Sequence, residues 1–162
     1  MLIKTFGIIL LLSSTLYLCL TFTLFERRRL SQCEGFLLLM RHIKAQISCF
    51  HTPLSRIWTS FSSEELERCG FLGMLRQTED FQKALGAVQG KIWLSAEELG
   101  LLHAFAGELG RSYVEEQISC CDYYIGQLEQ AYLERRQEQP KRSKLYRSLF
   151  ITGGLALVIL LL

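Results

Sequence analysis

Proline occurs only at Pro53 and Pro140, and the chain has no Asn-Gly or Asp-Gly dipeptide and no sustained two-residue alternation of apolar and polar side chains. Hairpins and sheets depend on those signals, so strands have little support and an all-α fold is expected. Charge of either sign is barely in excess, with 18 basic against 16 acidic residues for a net charge of +2. That balance gives no case for a nucleic-acid partner. Histidine is scarce, at His42, His51 and His103, and none of the six cysteines forms a C-x-x-C pair, so no metal site is expected. The apolar ends contain no carboxylate, lysine or histidine from Thr5 to Phe25 or from Ser148 to Leu162. Proton and ion paths through a membrane are usually marked by such groups, which argues against a translocating role.

What the chain does have is an apolar run at each end, with basic residues on the side facing the middle. Thr5 to Phe25 is followed by Glu26 and then Arg27, Arg28 and Arg29; Lys141, Arg142, Lys144 and Arg147 precede the second run. As a helix the first run reaches about 31 Å, enough for a hydrocarbon core of about 30 Å. The second is shorter, roughly 21 Å from Leu149 to Leu162, and about 25 Å counted from Tyr146, whose ring can sit at headgroup level while Arg147 snorkels. A spanning tail is expected, with a re-entrant or surface-lying tail as its alternative. A cleaved signal peptide is the rival reading of the first run, but no small-x-small site follows it. Basic flanks favour the cytoplasmic side. The expected organisation is a transmembrane anchor at 1–25, a cytoplasmic helical bundle at 26–147 and a C-terminal transmembrane helix at 148–162, with the basic flanks drawn to anionic membrane lipids.

The middle is long enough for one domain with a real core. Phe36, Met40, Ile43, Ile47 and Phe50 form an apolar stripe on a helix that continues out of the first run, with Arg41, Lys44 and Gln46 off the stripe. Thr52-Pro53 supplies an N-cap and a first-turn proline, and Leu54, Ile57, Trp58 and Phe61 the next buried face. Three capping boxes are expected, Ser62 with Glu65, Ser95 with Glu98 and Ser112 with Glu115. The second opens a helix with Leu99, Leu102, Ala106 and Leu109 on its core face, closed by Gly110 in a left-handed conformation. Between 66 and 93 the helix layout is open. Cys33, Cys49, Cys69, Cys120 and Cys121, with Cys19 in the apolar run, read as buried, reduced thiols, the reduced state following from a cytoplasmic domain.

Val114, Ile118, Cys121, Ile125, Leu128 and Tyr132 are separated by alternating steps of four and three, a heptad seam. Such a seam is either the buried face of a long bundle helix or a partner-binding surface. Pro140 is expected to end or kink this helix.

Chemistry-bearing constellations fail on inspection. Gly86 to Lys91 has three residues between its glycines and Ile92 after its lysine, where a phosphate loop needs four and a Ser or Thr. The acidic pairs Glu64/Glu65, Glu97/Glu98 and Glu115/Glu116 stand at helix starts, where the helix dipole accounts for them. His103 has no serine or cysteine within helical reach to activate. No catalytic residue, cofactor or metal is expected.

Lys144 to Leu149 running into Gly153-Gly154-Leu155 and Val158 to Leu161, after Leu109-Gly110 and Gln117, resembles the stage III sporulation protein AB family, as does Thr52-Pro53-Leu54. The resemblance spans the whole chain, although Phe150 stands where the family typically has glycine and Arg111-Ser112-Tyr113 lacks an acidic residue. It implies a component of the trans-envelope channel joining mother cell and forespore. It also implies a domain similar to the inner-membrane platform proteins of type II secretion, in contact with other channel subunits and a cytoplasmic secretion-type ATPase. A membrane-anchored regulator signalling through the heptad helix is the alternative, and a membrane-bound enzyme using His103 or Glu98 comes third.

Overall fold

The computed structural model describes residues 2–50, 54–111 and 113–161; within these, the side chains at 2–6, 8–9, 11–12, 15, 19, 50, 55, 141–143, 146–147, 154–155 and 157–161 lie outside the description. Every regular element among the described residues is helical. The helices are α1 (Leu2–Phe50), α2 (Leu54–Ser60), α3 (Glu64–Arg68), α4 (Phe71–Thr78), α5 (Phe81–Val88), a 3-10 turn (Gln89–Lys91), α6 (Ala96–Glu108) and α7 (Val114–Leu161). They divide into two compact units, Arg28–Glu134 and the pair of terminal segments Met1–Arg27 and Arg135–Leu162.

In the first unit, the α1 stripe is buried at Phe36, Met40, Ile43 and Ile47, joined by Cys33, Leu37 and Leu39. Aromatic rings run across the bundle from α1 to α7, with Phe36 to Phe71 at 4.9 Å, Phe71 to Phe81 at 5.2 Å, Phe81 to Phe105 at 5.6 Å and Phe105 to Tyr124 at 5.9 Å. All four contacts are edge-on, the arrangement that sets a positive ring edge against a negative face. Trp58 joins this line through Phe81. Salt bridges Arg41–Glu129 and Lys44–Asp122 cross from α1 to α7 in reverse order, so these stretches run antiparallel.

The region from 66 to 93 resolves into the end of α3, then α4, α5 and the 3-10 turn, each tied to its neighbours. Arg76 of α4 donates from Nη2 to the Phe61 carbonyl at 2.9 Å and from Nε to the Trp58 carbonyl at 3.4 Å, satisfying acceptors left over at the end of α2. Gly35 lets α3 approach α1, since a Cβ there would meet Leu66 Cγ at 3.1 Å and Ser63 Oγ at 3.3 Å. Asp80 caps α5, its Oδ1 accepting from Gln82 N at 2.9 Å and Lys83 N at 3.0 Å. That contact with the Lys83 N–H, above all, holds the Asp80 carboxyl below its ordinary range. A depressed folded pKa means the stabilisation is complete above the unfolded carboxylate range and lost as pH falls through the folded value. Asp80→Ala should cost about 1 kcal/mol near neutral pH and less in acid, while Asp80→Asn should keep the cap and flatten that acid dependence, as read by thermal melts across the range.

Two expectations are corrected at helix ends. The Ser62–Glu65 box does not form: Ser63 is the N-cap and makes no side-chain cap bond. Glu65 instead pairs with Arg68 at 2.9 Å and Glu64 with the same guanidinium at 2.6 Å, because both carboxylates lie within one turn of it. Of the end or kink expected at Pro140, the end is not found: α7 runs through it. The proline removes a single ladder bond, the one that would run to the carbonyl of Arg136, an exposed residue. The Ser95–Glu98 box is present in both directions, and Gly110 has φ +79° as expected. The expected caps at Thr52-Pro53 and Ser112 lie outside the described residues.

In the second unit, Leu10, Leu16, Leu18, Leu20 and Leu24 on α1 and Leu145, Leu149 and Ile151 on α7 are exposed. Three of its hydroxyls turn back on their own helices. Ser13 donates to the Leu10 carbonyl at 2.9 Å, Thr21 to those of Tyr17 and Leu18 at 3.0 Å, and Thr152 to that of Ser148 at 2.8 Å. Among the described residues no helix is long and apolar enough to cross a membrane.

Candidate functional site

The three arginines that follow the first apolar run have different fates. Arg27 and Arg28 are exposed. Arg29 turns inward, its Nη2 lying 3.4 Å from Glu98 Oε2, with the two side chains 17% and 1% exposed. Arg29, expected with Arg27 and Arg28 as a membrane-flanking charge, is thus also an internal ion-pair partner. The cause lies in α6, where Glu98 is the third residue of the capping box and accepts the Ser95 N–H at 2.6 Å and the Ser95 hydroxyl at 2.8 Å. A carboxylate held there by its own helix start is buried when α6 packs against α1, and a buried charge requires a countercharge. Sequence spacing shows the box but not that its far side faces α1.

One turn further along α1, buried Gln32 fixes the segment before α6. Its Nε2 donates to the Lys91 carbonyl at 3.2 Å and its Oε1 accepts the Trp93 N–H at 2.8 Å. A glutamine among apolar stripe residues was its only sequence signal. Together Gln32, Arg29 and Glu98 tie the 91–98 segment to the start of the bundle. Beside them a cleft of about 250 Å³ opens between Arg28 and Gln32 of α1, Arg68 of α3 and the turn carrying Lys91 and Trp93.

The heptad seam divides. Cys121, Ile125 and Leu128 are buried in the core with Tyr124, Ile118 and Tyr132 pack against it, and Val114 is exposed. Its central positions are therefore buried in the chain's own core. Exposed aromatics on the same stretch, Tyr113 and Tyr123, lie off the seam. Of the second basic flank, Lys144 is exposed, and the side chains of Lys141, Arg142 and Arg147 lie outside the described residues.

His103 is half-buried on α6. Burial, with the Glu108 carboxylate accepting its S–H at 3.2 Å, pushes the Cys120 thiol up to about 12. Burial pushes Cys121 up to about 11 and raises Cys69. Such thiols stay protonated at neutral pH and are poor nucleophiles. Among the described residues no group of three or more His, Cys, Asp or Glu is placed to hold a metal. The arrangement ties the 91–98 segment to α1 and leaves Arg28 and Lys91 on the cleft.

The family model described as stage III sporulation protein AB matches residues 4–162. No curated protein and no solved structure matches the chain. A match that takes in both terminal helical segments as well as the bundle shows that the chain belongs to the stage III sporulation protein AB family and has a role in sporulation.

Proposed function

We propose that this protein is a non-enzymatic platform, held in the mother-cell membrane facing the forespore, on which subunits of a secretion-like trans-envelope channel assemble. The observation that carries the reading is the continuity of α1 and α7, which leave the bundle as helices and bear exposed leucines in the terminal unit. Exposed apolar side chains in such number need lipid or protein cover. The hydroxyls of Ser13, Thr21 and Thr152 are bonded within their own helices, as a hydrocarbon surrounding requires. Basic residues beside each run favour a bundle on the cytoplasmic side, within reach of a secretion-type ATPase. The burial of Cys121, Ile125 and Leu128 counts against signalling through the heptad seam.

Cys49, expected to be buried like the other cysteines, is exposed and offers the test. In intact sporulating cells a membrane-impermeant maleimide should label it only after permeabilisation, with a Cys49→Ser strain defining the background. Photocrosslinkers at Tyr113 and Tyr123 should then capture several envelope subunits and the ATPase. Labelling in intact cells would place the bundle on the other side and remove the ATPase from the scheme.

A further inference from the structure

We propose that the cleft at the start of the bundle binds a phosphate group, with Arg28 and Lys91 as its cations and Trp93 as an apolar wall. Its charges are unevenly committed. Arg68 is held by Glu64 and Glu65, which also occupies the one carboxylate on the cleft. Neither Arg28 nor Lys91 has an ion-pair partner among the described residues, and they project from separate elements onto the same space of about 250 Å³. Two cations from rigid, separately anchored elements suit an anion with several acceptor oxygens, which draws charge-assisted bonds from both sides. The frame is rigid because Gln32 pins the Lys91 carbonyl and the Trp93 N–H. Gly90 adds open space, since a Cβ there would meet nothing within 4 Å. A phosphate of this kind comes from a lipid headgroup or from a free phosphate compound. Arg28 follows Phe25, the last residue of the apolar run, by three positions, so the lipid source rests on the membrane-held reading above, whereas the free source does not.

The full chain is to be purified in neutral detergent and titrated with inorganic phosphate and glycerol phosphate, then placed in phosphatidylcholine nanodiscs with and without phosphatidylglycerol. Trp93 is half-exposed and Trp58 fully buried, so the emission change should be absent in Trp93→Phe. A response to free phosphate in detergent assigns the free source; a response confined to phosphatidylglycerol discs assigns the lipid. In either arm R28Q/K91Q should weaken binding by about tenfold or more and R28K/K91R should restore most of it. The control R56Q/R111Q removes the same charge from exposed positions outside the cleft. Equal weakening by that control, or no response in either arm, overturns the site. Failure to enter discs while free phosphate still binds would instead count against the membrane-held reading alone.

Discussion

Arg29→Met should destabilise the bundle by about 3 kcal/mol, far more than loss of any other salt bridge in it. Removing one member of a buried pair strands the other charge away from water, and Glu98 is 1% exposed. The lower end of the usual range applies because the Ser95 N–H and hydroxyl still solvate the carboxylate. Arg41→Met, which breaks an exposed pair with Glu129, should cost at most about 1 kcal/mol. R29M/E98Q should recover more than half of the R29M loss, since a neutral amide can still accept the Ser95 N–H. Urea unfolding of the detergent-solubilised chain, followed by Trp58 emission, measures all three variants. If R29M and R41M shift the midpoint alike, Glu98 is solvated and the account of Arg29 as an internal tie is wrong.

Phe71→Ala should cost about 4 kcal/mol, because it empties a fully buried ring site touched by Phe36 on one side and Phe81 on the other. Domains of this size are stable by roughly 5–15 kcal/mol, so the variant should fall near the edge of folding in the cell. The expected result is loss of the protein from sporulating cells and a corresponding fall in heat-resistant spores. Phe71→Leu, which keeps most of the volume, should cost under about 1.5 kcal/mol and sporulate. Normal levels of Phe71→Ala protein would mean that the aromatic line is not the core's support.

Short-range signals were legible wherever one element explained itself. The α1 stripe from Phe36 to Ile47, the Ser95–Glu98 box and the left-handed Gly110 depend on spacing within one helix and its end, and each stands as expected. The Asp80 cap was also within reach, as an aspartate directly before an apolar-periodic stretch, but the surrounding 66–93 segment has helices of only five to eight residues. Periodicity over so few residues is hard to separate from chance. Ser62 is not the cap because the helix starts one residue later, with Ser63 at its N-cap, and Arg68 holds the Glu64 and Glu65 carboxylates, outcomes that sequence spacing alone does not rank.

The sequence by itself determined that the chain is helical, that its ends are apolar with basic residues inside them, and which stripe of α1 and α7 is apolar, because helix periodicity and solvation preference are local properties. Only the tertiary structure decided that Arg29 serves Glu98 while Arg28 opens onto a cleft with Lys91, and that the heptad seam is filled from within. Those outcomes depend on which faces α1, α3, α6 and α7 turn toward one another, and neighbouring arginines with the same chemistry separate only when packing buries one and leaves the next in water.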